Sequence, residues 1–171
     1  YLNMNMYEKA IEDYSKAMKI GPSNELWKPL HARAQTYFLI KDHERAQTDL
    51  SRLIELEPEM ADAYYQRARS YFEQERYGRA EADYSRAIER DPGNYEYYHE
   101  RARAHWRLDE YELAMEDYSK AIELQPENAD GYILRGFYFI EMGDYNSAVK
   151  DLAKAVELAR TARKLAITWG S

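Results

Sequence analysis

The sequence predicts an all-α protein built from antiparallel helix hairpins, and three observations carry that reading. The stretch 61–94 holds two helical patterns, Tyr64, Ala68 and Tyr71 at i, i+4, i+7, then Tyr77, Ala80, Tyr84 and Ala87 at similar spacing. Asp91-Pro92-Gly93 supplies a stop after the second pattern. Pro58, Pro92 and Pro126 fall at intervals of 34 residues, so the hairpin recurs on both sides of this stretch.

Taken in order, the chain opens with half a unit, 1–24, in which Tyr7, Ala10, Tyr14, Ala17 and Pro22 match only a second helix. The first full unit is 25–60. Pro58 follows Pro22 by 36 residues, a two-residue insertion. Pro29 places its first helix from Trp27 or Lys28, because proline is tolerated only in a helix's first turn. His43 and Leu53 stand where other units have Tyr and Ala. Units two and three, 61–94 and 95–128, keep the period. Their inter-helix turns at Glu75-Arg76 and Asp109-Glu110 lack the glycine found at Gly143, which makes Lys41 and Glu75 the expected strained positions. The fourth unit, 129–160, replaces the closing proline with Arg160, so its helix is expected to run on. With Leu152, Val156, Ala159, Ala162, Ala166 and Trp169 in helical spacing, 161–171 reads as a cap or extension over the open end.

In register, each first helix places a large residue at Leu30, Tyr64, Tyr98 and Tyr132, and a small one at Ala34, Ala68, Ala102 and Gly136. A ring follows at Tyr37, Tyr71, His105 and Phe139. Second helices repeat Ala10, Ala46, Ala80, Ala114 and Ala148, then Tyr14, Leu50, Tyr84, Tyr118 and Leu152. Small residues let two helix axes approach to about 8–10 Å. This ladder of types at this period resembles the tetratricopeptide repeat family. The resemblance implies a right-handed superhelical solenoid with a concave groove lined mainly by first helices, four full repeats following an N-terminal half repeat.

Composition excludes several functions. The 171 residues carry a net charge of −7, which opposes general nucleic-acid binding. Cysteine is absent, removing disulfides and thiolate chemistry but not choosing a compartment; the cytoplasm is slightly preferred over periplasm or exterior. No run reaches the ~18 apolar residues of a membrane span. Catalytic motifs and phosphate loops are missing, so neither enzyme activity nor a cofactor is expected. No metal site is expected either, since His31 and His99 stand two units apart.

An arginine precedes the small residue in each full unit, Arg33, Arg67, Arg101 and Arg135, and each second helix carries an aspartate, Asp13, Asp49, Asp83, Asp117 and Asp151. One internal ion pair per repeat is preferred over an arginine ladder for an anionic ligand. Its register stays open: pairing within units leaves Asp13 over, and pairing to the next unit leaves Asp151 over.

The groove reading assigns ligand contacts to Lys28, His31, Gln35, Tyr65, Arg69, His99, Arg103, Trp106, Arg107, Phe137 and Ile140, with Leu134 also on that face. Arg69 and Arg103 occupy equivalent sites, and with the neighbouring rings they make a basic, aromatic middle beside an apolar last unit. An acidic peptide with a hydrophobic flank matches both. Asp62, Glu73, Glu96 and Glu100 are the residues that could neutralise those arginines instead. The family's chaperone carboxylate clamp is not expected, because His31, Gln35, Gln66, Glu96 and Glu100 stand where its basic and amide residues should be. The expected partner is therefore another protein or peptide. The alternatives are self-association, as a homo-oligomer, through an uncovered face of Tyr7, Ile11, Tyr14 and Met18, and an accessory array within a larger protein.

Overall fold

The computed structural model describes residues 2–22 and 25–169, with side chains described within 4–163. It falls into two compact units, Tyr1–Pro92 and Gly93–Ser171. Nine helices run through the described residues, and no strand occurs among them. The first unit holds α1 (Leu2–Ile20), α2 (Trp27–Leu39), α3 (His43–Leu56), α4 (Ala61–Glu73) and α5 (Tyr77–Arg90). The second holds α6 (Tyr95–Arg107), α7 (Tyr111–Leu124), α8 (Ala129–Glu141) and α9 (Tyr145–Trp169).

The hairpin turns are made alike. Lys41, Glu75 and Asp109 take left-handed φ values of 62°, 58° and 60°, and Gly143 takes 80°, each 34 residues from the next. In all four, the N–H after the left-handed residue donates back to the carbonyl of the recurring ring residue: Asp42 to Tyr37, Arg76 to Tyr71, Glu110 to His105 and Asp144 to Phe139, at 2.8–3.0 Å. This is the Schellman arrangement that satisfies the last carbonyls of a helix. Only the last of the four has the residue that adopts it without a Cβ penalty. Starts are capped by side chains: Asp42 accepts from the Arg45 N–H, Asn94 from Glu96 and Asn128 from Asp130. The Ser147 N–H donates to Asp144, and hydrogen bonds to Ser147 hold that carboxyl below its ordinary pKa.

Each unit has its own core. In the first, Ala34, Leu50, Leu53 and Ala63 form a buried cluster, with Trp27, Ile54 and Met60 against it. Leu53, where other units carry Ala, is wholly buried and fills that space. In the second, Ala102, Ala114 and Tyr118 are buried beneath Trp106, Met115, Leu134 and Tyr138. Leu134, expected on the groove face, is half-buried and packs against this cluster from α8. A Cβ on Gly136 would stand 3.0 Å from Leu152 Cγ, which explains glycine where other units use alanine.

The register of the ion pairs is within units. Arg33 holds Asp49 through Nε and Nη2 at 2.7 Å each, and the same two-pronged contact joins Arg67 to Asp83, Arg101 to Asp117 and Arg135 to Asp151. The four aspartates are buried, whereas Asp13, left over, is exposed beside Lys16. A third contact completes the arginine's fork: Nη1 donates to a serine on the preceding second helix, Ser15 for Arg33, Ser51 for Arg67 and Ser119 for Arg135, at 2.8–3.0 Å. For Arg67, burial opposes the charge, but Asp83 outweighs it and the pKa is raised. Filling the fork's donors offsets the desolvation of a buried pair.

Candidate functional site

In the first unit, α2 and α4 present their polar faces around a cavity of about 410 Å³ lined by Gln35, Phe38, Leu39, Leu50, Asp62, Tyr65, Gln66 and Arg69. At one side His31 Nε2 lies 2.7 Å from Asp62 Oδ2, and the Gln66 amide donates to the same carboxylate oxygen at 2.6 Å. Gln35 reaches the same imidazole nitrogen at 3.3 Å. Asp62 is therefore occupied by His31 and Gln66 rather than by Arg69. Across the cavity, the Arg69 guanidinium lies 4.8 Å from the Phe38 ring centroid and 5.7 Å from that of Tyr65. Arg69 is exposed, and no carboxylate pairs with it among the described residues. A guanidinium held by two rings keeps its hydrogen-bonding edge available to an incoming carboxylate. Lys28, the remaining basic residue expected here, is drawn to Glu25 at 3.3 Å over the Trp27 ring.

The second unit treats the same positions differently. Arg103 Nη1 donates to Glu100 at 2.7 Å, so the expected neutralisation happens here. His99 sits with Nδ1 3.6 Å from Glu100, while its Nε2 is buried without a hydrogen-bond partner among the described residues. Trp106 packs against Tyr111 and Tyr138, at centroid distances of 4.6 and 4.0 Å, and serves as a wall of the core more than as a free contact. Tyr138 also stacks on Tyr118 at 4.9 Å. Burial, and then the neighbouring Tyr138 phenol, push the Tyr118 pKa well above its ordinary value. Phe137 and Ile140 are exposed, as is Arg107.

His105, where other units have a ring of Tyr or Phe, is buried and fills its polar needs with Glu110 Oε2 at 2.6 Å on Nδ1. Tyr7, Ile11, Tyr14 and Met18 are half-buried, α1 packing on α2, so the face expected to be open is largely covered within the unit. More exposed are Met4, Met6 and Ile20. Among the described residues, no three His, Asp or Glu side chains gather as a metal site, and no helix is long and apolar enough to cross a membrane.

Hairpins with a recurring small residue, a ring at each turn and one buried Arg–Asp pair per repeat define a helical-repeat scaffold. Tetratricopeptide repeat profiles match residues 31–95, 65–129, 118–150 and 1–24, and the chain belongs to that family. Among solved structures, a crystal structure of MamA is similar over 95% of this chain and 94% of its own, at 25% identity and a TM-score of 0.86. MamA from Desulfovibrio magneticus RS-1 reaches a TM-score of 0.84 at 21% identity, covering 94% of this chain and 89% of its own. YrrB, described as a TPR protein with an unusual peptide-binding site, gives 0.74 at 19% identity over 95% and 86%. No curated protein matches the sequence. Family and fold are those of protein-interaction scaffolds.

Proposed function

We propose that the chain holds a segment of a partner protein on its first-helix faces, with an acidic side chain of the partner at Arg69. The observation that supports it is the unpaired Arg69 guanidinium, fixed over Phe38 and Tyr65 at the edge of the 410 Å³ cavity. Gln35, Gln66 and Asp62 line the same cavity, with the two amides held by His31 and Asp62 and so not competing for Arg69. The second unit, taken by itself, exposes Phe137 and Ile140 as apolar contacts for a partner, while Arg103 and His99 already answer to Glu100. YrrB lends support at the level of fold.

The test uses a displayed library of random peptides selected against the chain. Enriched sequences are expected to share Asp or Glu beside an aliphatic or aromatic residue, and Arg69→Glu is expected to abolish their capture. Enrichment without acidic residues, or capture indifferent to Arg69→Glu, would remove this assignment.

Self-association through α1 is the second reading: Tyr7, Ile11, Tyr14 and Met18 are only half-buried, and the surface that favours it is the exposed Met4 and Met6 beside them. Sedimentation as a monomer at high concentration, unaffected by Ile11→Asp, would sink it.

A further inference from the structure

We propose that the outer face of α9 is a docking socket for an amphipathic helix of another protein, one with an acidic first turn and an aliphatic residue where the chain's own first helices carry arginine. The internal template is α8 on α7. There Ile122 sits under Gly131, whose added Cβ would be 3.1 Å from Ile122 Cγ1. Tyr118 stacks on Tyr138 at 4.9 Å, and Ser119 accepts from Arg135 at 2.9 Å. Leu134 closes the contact over the Tyr118 cluster.

Thirty-four residues further on, the same positions of α9 are Val149, Leu152, Ala153 and Val156, matching Met115, Tyr118, Ser119 and Ile122. Ile122 is 9% exposed beneath α8, whereas Val156 is 52% and Val149 66% exposed. Together with Glu157, Arg160 and Thr161 they line an apolar cleft of about 660 Å³. The cleft is the α8 seat repeated: residues 161–169, expected to cap this end, continue α9 as one helix instead, residues 170–171 lie outside the described ones, and nothing described fills the cleft.

Two replacements set the occupant's chemistry. The hydroxyl series Ser15, Ser51, Ser85 and Ser119 ends at Ala153, so an arginine laid here would lose its serine acceptor. A buried donor without a partner is penalised, which selects an apolar residue at that place. Arg160 stands where Pro126 stands before α8, beside the seat of the incoming helix's first turn, with Arg163 one turn on. Helix 145–169 carries five Lys or Arg against two Asp or Glu, in a chain of net charge −7. An acidic first turn, already favoured by its own helix dipole, is complementary to that end.

The probe is an acetylated, amidated peptide copying residues 126–142 with Arg135→Leu, labelled and titrated with the full chain by fluorescence anisotropy. Saturable binding is expected, weakened at least about tenfold by Val156→Asp or by Val149→Lys, as for a central apolar contact of an interface. Arg69→Glu is expected to leave it unchanged, which separates this socket from the groove. The peptide retaining Arg135 should bind less tightly than the leucine form. An Asp130→Lys peptide should lose affinity for the wild type and recover it on the Arg160→Glu chain. Binding indifferent to both valine variants, while circular dichroism shows each folded, would overturn the socket. Concentration-dependent dimerisation abolished by Val156→Asp, with no peptide bound, would make the occupant a second copy and overturn the proposed one.

Discussion

Arg69 in the first unit and Arg103 in the second hold the same register position 34 residues apart, yet one is available and the other is paired. The difference lies three residues earlier. Gln66 turns to Asp62 and His31, whereas its equivalent, Glu100, closes on Arg103. The repeat supplies the same backbone and the same arginine, and one exchange of amide for carboxylate decides whether that cation faces a ligand or an internal partner. Scaffold and specificity are thus carried by different residues of one helix.

The largest test of this contrast compares two arginines in a single helix. Arg67→Ala leaves the buried Asp83 with only the long, exposed contact to Arg86 at 3.5 Å, and is expected to cost about 3 kcal/mol in urea unfolding. Arg69→Ala, two residues on and exposed, should stay within about 0.5 kcal/mol. Equal costs would break the distinction between internal and ligand-facing arginines.

Next, Gln66→Glu should convert the first unit to the arrangement of the second. Affinity for an acidic peptide selected on the wild type is expected to fall about tenfold, or 1.4 kcal/mol, by isothermal titration. Unchanged affinity would mean that Glu100 is not what distinguishes the two sites.

The second unit's ring stack gives a pH test. The Tyr118 pKa is raised above its ordinary 10.0 by burial first and the Tyr138 phenol second. A folded value above the unfolded one means the unfolded chain releases a proton that the folded chain keeps. The contribution is therefore intact below pH 10 and lost as pH rises beyond it, at about 1.4 kcal/mol per pH unit. Stability curves of wild type and Tyr118→Phe should diverge with that slope above pH 10 and run parallel below it; parallel curves throughout would contradict it.

The smallest effect concerns the turns. Glu75→Gly should stabilise the first unit by about 1 kcal/mol, because the left-handed φ of 58° carries a Cβ penalty that glycine lacks. Asp109→Gly should gain less, since aspartate tolerates that region better. A loss of thermal stability at Glu75→Gly would show that its side chain contributes more than its strain.

Much of this was legible beforehand in the residues themselves. The spacing of Pro58, Pro92 and Pro126, the start near Trp27 beside Pro29, and the strained turns at Lys41 and Glu75 all follow from local chemistry. The serine series at 15, 51, 85 and 119 was equally visible, but its meaning was not, because a hydroxyl at a regular spacing does not name its partner. The same limit applied to Leu134, whose periodicity suits either the groove or the core. It applied too at the N-terminal face, where Tyr7 and Ile11 are half-buried rather than open.

By itself, then, the sequence determined the helices, their stops and the residue types that recur, because propensity, capping and small-to-large packing act over short spans or repeat identically. Only the tertiary structure decided that Arg33 reaches Asp49 and Ser15, that Glu100 and not Gln66 pairs with its arginine, and that among the described residues Val156 is exposed where Ile122 is covered. Those outcomes depend on distances of a few ångströms between neighbouring helices, and a period in the chain does not encode them.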